Sequence, residues 1–381
     1  NNPALMVGAC ETPAFRTAVQ EAVLLLGKLL PALEVHSGLP EGSLVLPLQF
    51  AQSPDVPSIK KFLVGLLENP VDHPWWPVLS SVSLECRTTI AGTLFLARKL
   101  LPTTPSPWED HVERVASVPA PALPRGYLRF VRREVSKVLG RGWDRDYESR
   151  VSSFSPPTSA STGSPRSRGG ARAQWVGRRK DFLGACLGTR DFRVPSVLDV
   201  RFANIELEGK SRSVTVAPAS QHLLGPLHRC LYDAVSRQSW LLRGEATATK
   251  LSDFVRSESE VIVSGDYESA TDLLPLEVAS CILQTARKLS TKIPDRIWEF
   301  AEVSLHARVE YPDGSRRPVV RGQLMGNLLS FPLLCLQNYV AFRWCVPRDV
   351  PLRINGDDII FRATQEEADR WAALVSSLGF R

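Results

Sequence analysis

The sequence predicts an α+β protein: a mostly helical first part, then short strands and helices around a small antiparallel sheet. Three observations carry this expectation. Up to about residue 150, apolar residues recur at helical spacing, most clearly over residues 19–33 and 59–67. After residue 200, short β-branched runs appear, bounded by turn residues. Two of these runs lead into acidic turns, at residues 264–272 and 354–360, whose apolar flanks set the carboxylates at the end of a buried sheet.

The elements follow in order. The early helices are broken by prolines and by the cluster Pro74-Trp75-Trp76-Pro77. Nothing in this first part carries recognisable chemistry. Residues 152–173 shift to Ser, Thr, Pro, Gly and Arg, a composition that cannot bury enough apolar surface to fold alone. Two readings stay open for it: a flexible linker, or a loop whose Arg166 and Arg168 lie along a nucleic-acid strand. A strand is expected at residues 214–216, helical runs over 220–240, a short buried strand at 260–264 and a helix over 276–289. Pro312-Asp313-Gly314-Ser315 turns a hairpin between residues 309–311 and 318–320. A long apolar helix begins near Gly326, a second hairpin closes on Gly356-Asp357-Asp358, and Thr364 with Glu367 forms a capping box for a last helix towards Leu378.

Composition narrows the function classes. The chain of 381 residues is 44% hydrophobic and 23% charged, enough to bury a sizeable core, and its net charge of +6 fits a polyanionic partner without specifying one. The seven cysteines include no CxxC pair and the six histidines show no ligand spacing, which argues against a zinc site or disulfide framework. Reduced thiols in a cytosolic setting are the expectation. The apolar stretch 328–346 is interrupted by Pro332, Gln337, Asn338 and Arg343, so it reads as a buried helix and not a membrane span. No secretory signal is visible at the start, and the ends of the chain read as those of a fragment.

The chemistry concentrates in the two acidic turns. Adjacent strand ends would hold Asp266 and Asp357 close together, and such charges repel unless a cation neutralises them. Hard carboxylate oxygens suit Mg²⁺, with Mn²⁺ as an alternative. Two such ions roughly 3.5–4 Å apart serve an in-line phosphoryl transfer. Asp358 joins this set.

Taken in order, the motifs resemble those of viral RNA-dependent RNA polymerases, most closely the ourmia-like (botourmiavirus) branch related to narnaviruses and leviviruses. Gly265-Asp266-Tyr267-Glu268-Ser269-Ala270-Thr271-Asp272 is similar to motif A, and Ile354-Asn355-Gly356-Asp357-Asp358 to motif C. The segment from Gly322-Gln323-Leu324-Met325-Gly326-Asn327 through Ser330 to Cys335 is similar to motif B, and Lys210-Ser211-Arg212-Ser213-Val214-Thr215 to the basic motif F. The resemblance covers about residues 210–381.

It implies a right-hand polymerase. An N-terminal helical region would span 1–150, a loop or linker 151–175, fingers 176–258 and palm 259–381, with a finger insertion near 290–320. The thumb, and the lysine that the family places after the final helix, are absent from this expectation. The implied reaction is RNA-templated RNA synthesis for a positive-strand virus in the host cytoplasm, using template and product RNA and ribonucleoside triphosphates. Asp266, Asp357 and Asp358 would be catalytic, with the carbonyl of Tyr267 a further candidate metal ligand. Lys210, Arg212, Asp272, Gly322, Gln323, Gly326 and Ser330 would meet the nucleotide, with Asp272 sensing the ribose 2′-hydroxyl. Arg316, like Arg166 and Arg168, would contact RNA.

Leu334 stands where many related polymerases carry Asn, which leaves open what holds Asp272; Asn338, a turn on, reads as structural. A reverse transcriptase is disfavoured, because Thr271-Asp272 stands in place of an aromatic gate. An inactive RNA-binding fragment or an endogenised viral remnant is the alternative from a different class, and a metal-dependent hydrolase of unrelated fold a third.

Overall fold

The computed structural model describes residues 13–48, 50, 56–103, 106–207, 210–255, 257–267 and 270–380. The fold is mixed α+β, and the chain divides into two compact units, Asn1–Ser106 with Asn204–Arg212, and Pro107–Ala203 with Ser213–Arg381.

The first unit is built on helices α1 (Pro13–Ser37), α2 (Val56–Glu68) and α3 (Leu84–Ala97). Their inward faces follow the periodicity of the sequence: Leu26 and Leu30, Ile59 and Leu63, Ile90 and Leu94 are buried together. The Ser83 hydroxyl accepts from the Cys86 amide and caps α3.

In the second unit, α4 (Tyr127–Leu139) buries Tyr127, Val131, Val135 and Val138, an i, i+4 stripe that packs on α6 (Leu276–Leu289) and α8 (Ser330–Cys345). Helix α5 (Gly225–Val235) packs on the same bundle, and α7 (Asp295–Leu305) lies against α6. The turn into α7 is organised by Asp144, which is wholly buried. Its carboxylate accepts from the Ser290 hydroxyl and from the amides of Thr291, Lys292 and Ile293. Burial opposes its charge, and those four donors more than offset the cost, holding the carboxyl below its usual range.

Among the described residues, seven strands form two sheets. In the first the order is β2-β1-β4-β5, with β1 (Asp199–Leu207), β2 (Lys210–Val216), β4 (Arg308–Glu310) and β5 (Arg316–Pro318). Strands β4 and β5 make the expected hairpin, with Val309 opposite Arg317, and β1 joins β4 in parallel. The second sheet is antiparallel, in the order β3-β7-β6, with β3 (Val261–Gly265), β6 (Leu352–Asn355) and β7 (Asp358–Ala363). Helix α9 (Gln365–Val375) follows, opened by the capping box of Thr364 and Glu367.

Two local expectations, the depth of β3 and the start of the long helix, change. Strand β3 is not buried: it is the edge of its sheet, and Val261 and Ile262 are 37% and 49% exposed. Only β7 covers one of its flanks, so the apolar run reports strand propensity and not depth. Residues 152–173 form a structured loop in which Arg166–Arg168 and Gly170–Ala173 are short helices and the Thr162 amide donates to the Ala217 carbonyl. The long helix starts at Ser330, because residues 322–329 are spent on a loop. Among the described residues no helix is long and apolar enough to cross a membrane, and the described cysteines are free thiols.

Candidate active site

The antiparallel ladder sets the carboxylates at one end of the second sheet. Gly265 lies opposite Ile359, and Asn355 opposite Asp358. Asp266, the first residue past the ladder, leaves β3 at the end where Asp358 opens β7, near enough for its charge to act on Asp358. Asp357 occupies the β6–β7 turn, where Gly356 adopts φ +70°, a conformation that favours glycine. Asp266 and Asp358 are exposed, and Asp357 is half-buried. Partial desolvation pushes the Asp358 carboxyl up from its ordinary range, and the charges of Asp357 and Asp266 push it further. The three carboxylates therefore repel one another at the sheet end. Among the described residues, however, no group of three or more His, Cys, Asp or Glu is drawn together as a metal-ligand cluster.

Behind the carboxylates, one buried side chain spans both turns. Asn338 of α8 donates through Nδ2 to the carbonyls of Gly356, at 3.0 Å, and Asp357, at 3.3 Å. Its Oδ1 accepts from the Tyr267 hydroxyl at 3.2 Å. The Tyr267 ring is packed against Trp371 and Phe380. Burial pushes its phenol far above the ordinary value, so the hydroxyl keeps its proton and stays a donor. Gly265 is required here, since a Cβ would lie 2.7 Å from the Trp371 ring.

A second group of polar residues surrounds Asp272. Its Oδ2 accepts from Arg114 Nε at 2.8 Å, a partner that sequence reasoning did not single out; one arginine in a helical region gives no local signal of such a pairing. Gly322 has φ +86° and would place a Cβ 2.5 Å from the Asp272 carbonyl oxygen. Gly326 has φ +123° and would place one 2.1 Å from the Thr215 carbonyl oxygen. Thr215, at the end of β2, donates its amide to the Met325 carbonyl at 2.7 Å. The Gln323 carboxamide is buried with neither its nitrogen nor its oxygen partnered. Ser330 is also buried and donates its hydroxyl to the Leu324 carbonyl at 2.9 Å, leaving only its lone pairs to meet a ligand.

The remaining candidates lie elsewhere. Lys210 and Arg212 are both exposed on the outer part of β2, which groups with the first unit. Arg316 is tied to Glu310 at 2.9 Å across the β4–β5 hairpin. Arg166 and Arg168 are exposed on their short helix.

No family model matches the chain. In sequence it is similar to viral RNA-dependent RNA polymerases. Within that class its relatives are of the ourmia and narnavirus branch: the RNA-dependent RNA polymerase of Ourmia melon virus (isolate Melon/Iran/VE9) is 24% identical over 364 residues, 76% of this chain and 42% of the relative. The RNA-directed RNA polymerase of Saccharomyces 20S RNA narnavirus is 32% identical over 160 residues, 41% of this chain and 18% of the relative. The chain thus spans less than half the length of the curated relatives it matches.

Proposed function

We propose that this chain carries the reaction centre of RNA-templated RNA synthesis, the transfer of a nucleotidyl group from a ribonucleoside triphosphate to an RNA 3′-hydroxyl. The observation that supports it is that β3 and β7 end together, with Asp266 following β3, Asp358 opening β7 and Asp357 in the turn before it. The antiparallel sheet is read as the palm of a right-hand polymerase. The cytoplasmic replication of a positive-strand RNA genome is read as the setting.

The donor set suits divalent cations, because mutually repelling hard oxygen ligands are what Mg²⁺ or Mn²⁺ stabilises. Asp266 and Asp357 would hold them, with Asp358 and the Tyr267 carbonyl alongside. Bound there, the ions would activate the attacking hydroxyl and steady the departing pyrophosphate. The chain's own residues do the positioning. Asn338 keeps the two turns in register, Asp272 offers an acceptor to the ribose, and the Gly322–Gly326 loop lets backbone approach the nucleotide. Lys210 and Arg212 would meet the triphosphate.

Incorporation of labelled ribonucleotides on an RNA template by the full chain, with Mg²⁺ and with the metal chelated, tests this. Metal-dependent incorporation that Asp357→Asn removes is expected. Incorporation unaffected by that substitution would sink the reading. The second reading, an RNA-binding piece without catalysis, is favoured by the absence of a gathered ligand cluster among the described residues; it requires template binding with no incorporation at any metal concentration.

A further inference from the structure

Asp272 is held by a residue 158 positions earlier in the chain. Arg114 Nε takes Oδ2, while among the described residues Oδ1 has only the Thr271 hydroxyl, at 3.5 Å. A contact that long contributes little, so Oδ1 retains its accepting capacity. The carboxylate is not sealed in: 11% of its side chain is exposed. No polar side chain of α8 bonds to Asp272 among the described residues, and Leu334 offers none.

Arg114 is itself fixed. It lies in the π-helical turn Glu113–Ser117, a widened helical turn of the kind found at functional sites. Its carbonyl accepts from Arg321 Nε at 2.5 Å, and the Val115 carbonyl accepts the amides of Val320 and Arg321. The next two residues close the figure: the Gly322 amide donates to Leu274 and the Gln323 amide to Thr271. Asp272 therefore sits inside a lattice of three segments, residues 113–117, 271–274 and 320–323. The neighbouring His111 contributes no charge at neutral pH, since burial holds its imidazole below the ordinary value; it shares a hydrogen bond with Tyr311 instead. Arg114 is bonded to Asp272 directly, while Arg321, the other cation of the lattice, donates to the Arg114 carbonyl. The unpartnered Gln323 carboxamide belongs to the same lattice, a buried polar group that a ligand would satisfy.

We infer that Arg114 is a specificity-determining residue for the nucleotide sugar: by occupying Oδ2 of Asp272 it turns Oδ1 towards the 2′-hydroxyl of the incoming nucleotide. The inference rests on the reading of Asp272 as the sugar contact. Arg114 is a positioning residue and touches no reacting atom. A merely structural ion pair would slow ribonucleotide and deoxyribonucleotide incorporation alike. A positioning role changes their ratio.

The test measures single-nucleotide incorporation of ribo- and 2′-deoxyribonucleotides by the full chain carrying Arg114→Ala, Arg114→Lys, Asp272→Asn or the Arg114→Ala/Asp272→Asn pair. Where incorporation is too slow to follow, competition of ATP and dATP for a fluorescent nucleotide gives the ratio. Arg114→Ala is expected to lower ribose preference about tenfold, the gain expected of one well-placed hydrogen bond to a charged acceptor. Arg114→Lys, which keeps a charged donor, restores most of it. The double variant should match Asp272→Asn, because Arg114 acts only through that carboxylate. If Asp272→Asn relaxes the ratio while folded Arg114→Lys and Arg114→Ala leave it unchanged, the inference is overturned and the sugar reading stands. Additive losses in the double variant overturn it too. If Asp272→Asn leaves the ratio unchanged, the sugar reading fails and the role of Arg114 goes with it. Should Arg114→Ala not fold, Arg114→Gln, which removes the charge at similar length, takes its place: a ribose preference equal to wild type within twofold, while Asp272→Asn relaxes it, overturns the role.

Discussion

Asn338 donates to the carbonyl of Gly356 from the interior of α8, and is itself wholly buried. Because the same carboxamide accepts from Tyr267, one side chain sets the distance between the turn that follows β3 and the turn between β6 and β7. A two-carboxylate reaction centre tolerates little drift in that distance, and a displacement of about 1 Å costs about a hundredfold in rate.

Replacing Asn338 with Leu keeps the volume and removes every hydrogen bond. The Gly356 carbonyl and Tyr267 hydroxyl are then left unpaired, at a cost of roughly 1–3 kcal/mol for each buried group. Thermal unfolding should move down by several degrees and incorporation should fall about tenfold or more. Lowered stability with full activity would show that the bridge supports the fold without tuning the site.

Asp357→Asn should cut incorporation at least about a thousandfold, equivalent to roughly 4 kcal/mol of transition-state stabilisation. The melting temperature should hold or rise, since the swap removes one of the charges that oppose Asp358. Added Mg²⁺ should raise the melting temperature of the wild-type chain and not of the variant. Equal shifts in both would mean that the ions bind elsewhere.

Arg348 joins the start of β3 to α9, reaching Glu260 and Glu367 at 2.7 Å each. The hydrogen bond from Arg348 is the largest cause pulling the Glu367 carboxyl down to about 2. A depressed carboxyl stabilises the fold above its unfolded value, near 4.5, and that contribution is lost as pH falls from there towards 2. Arg348→Ala should therefore lower stability at neutral pH by about 1 kcal/mol, given how exposed the arginine is, and flatten the decline between pH 5 and pH 2. Parallel acid-unfolding curves for the two proteins would refute this.

Two glycines allow a matched comparison. Gly326→Ala would meet the Thr215 carbonyl as well as an unfavourable φ, and should cost about 3 kcal/mol with loss of incorporation. Gly314→Ala carries only the φ penalty, with nothing within 4 Å of the new methyl, and should cost about 1 kcal/mol and leave activity unchanged. Similar effects at both sites would remove the argument for close packing at Gly326.

Much of the fold is legible in the sequence because it is local. The β4–β5 and β6–β7 hairpins follow from their turn residues, α6 from its apolar period, and the start of α9 from Thr364 and Glu367. What escaped is non-local. Strand β3 reads as buried because Val261 and Ile262 are apolar, but its depth depends on sheet order, which no local pattern encodes. Arg114 looks like any solvated arginine until Asp272 arrives beside it. The same limit explains Asn338, recognisable as a buried polar group on the face of Ser330 and Leu334, yet with its two partners hidden in other turns.

The distances along the chain bear on how the molecule is made. Arg321 closes onto the Arg114 carbonyl across 207 residues, and His111 meets Tyr311 across 200. At about 5–20 residues per second, a ribosome needs roughly 10–40 s to synthesise that interval. Throughout it, the carbonyl of Arg114 lacks Arg321, and the apolar stripe of α4 waits for α6 and α8. This corner of the fold therefore closes only after residue 321 has emerged, and forms after the local helices on either side of it.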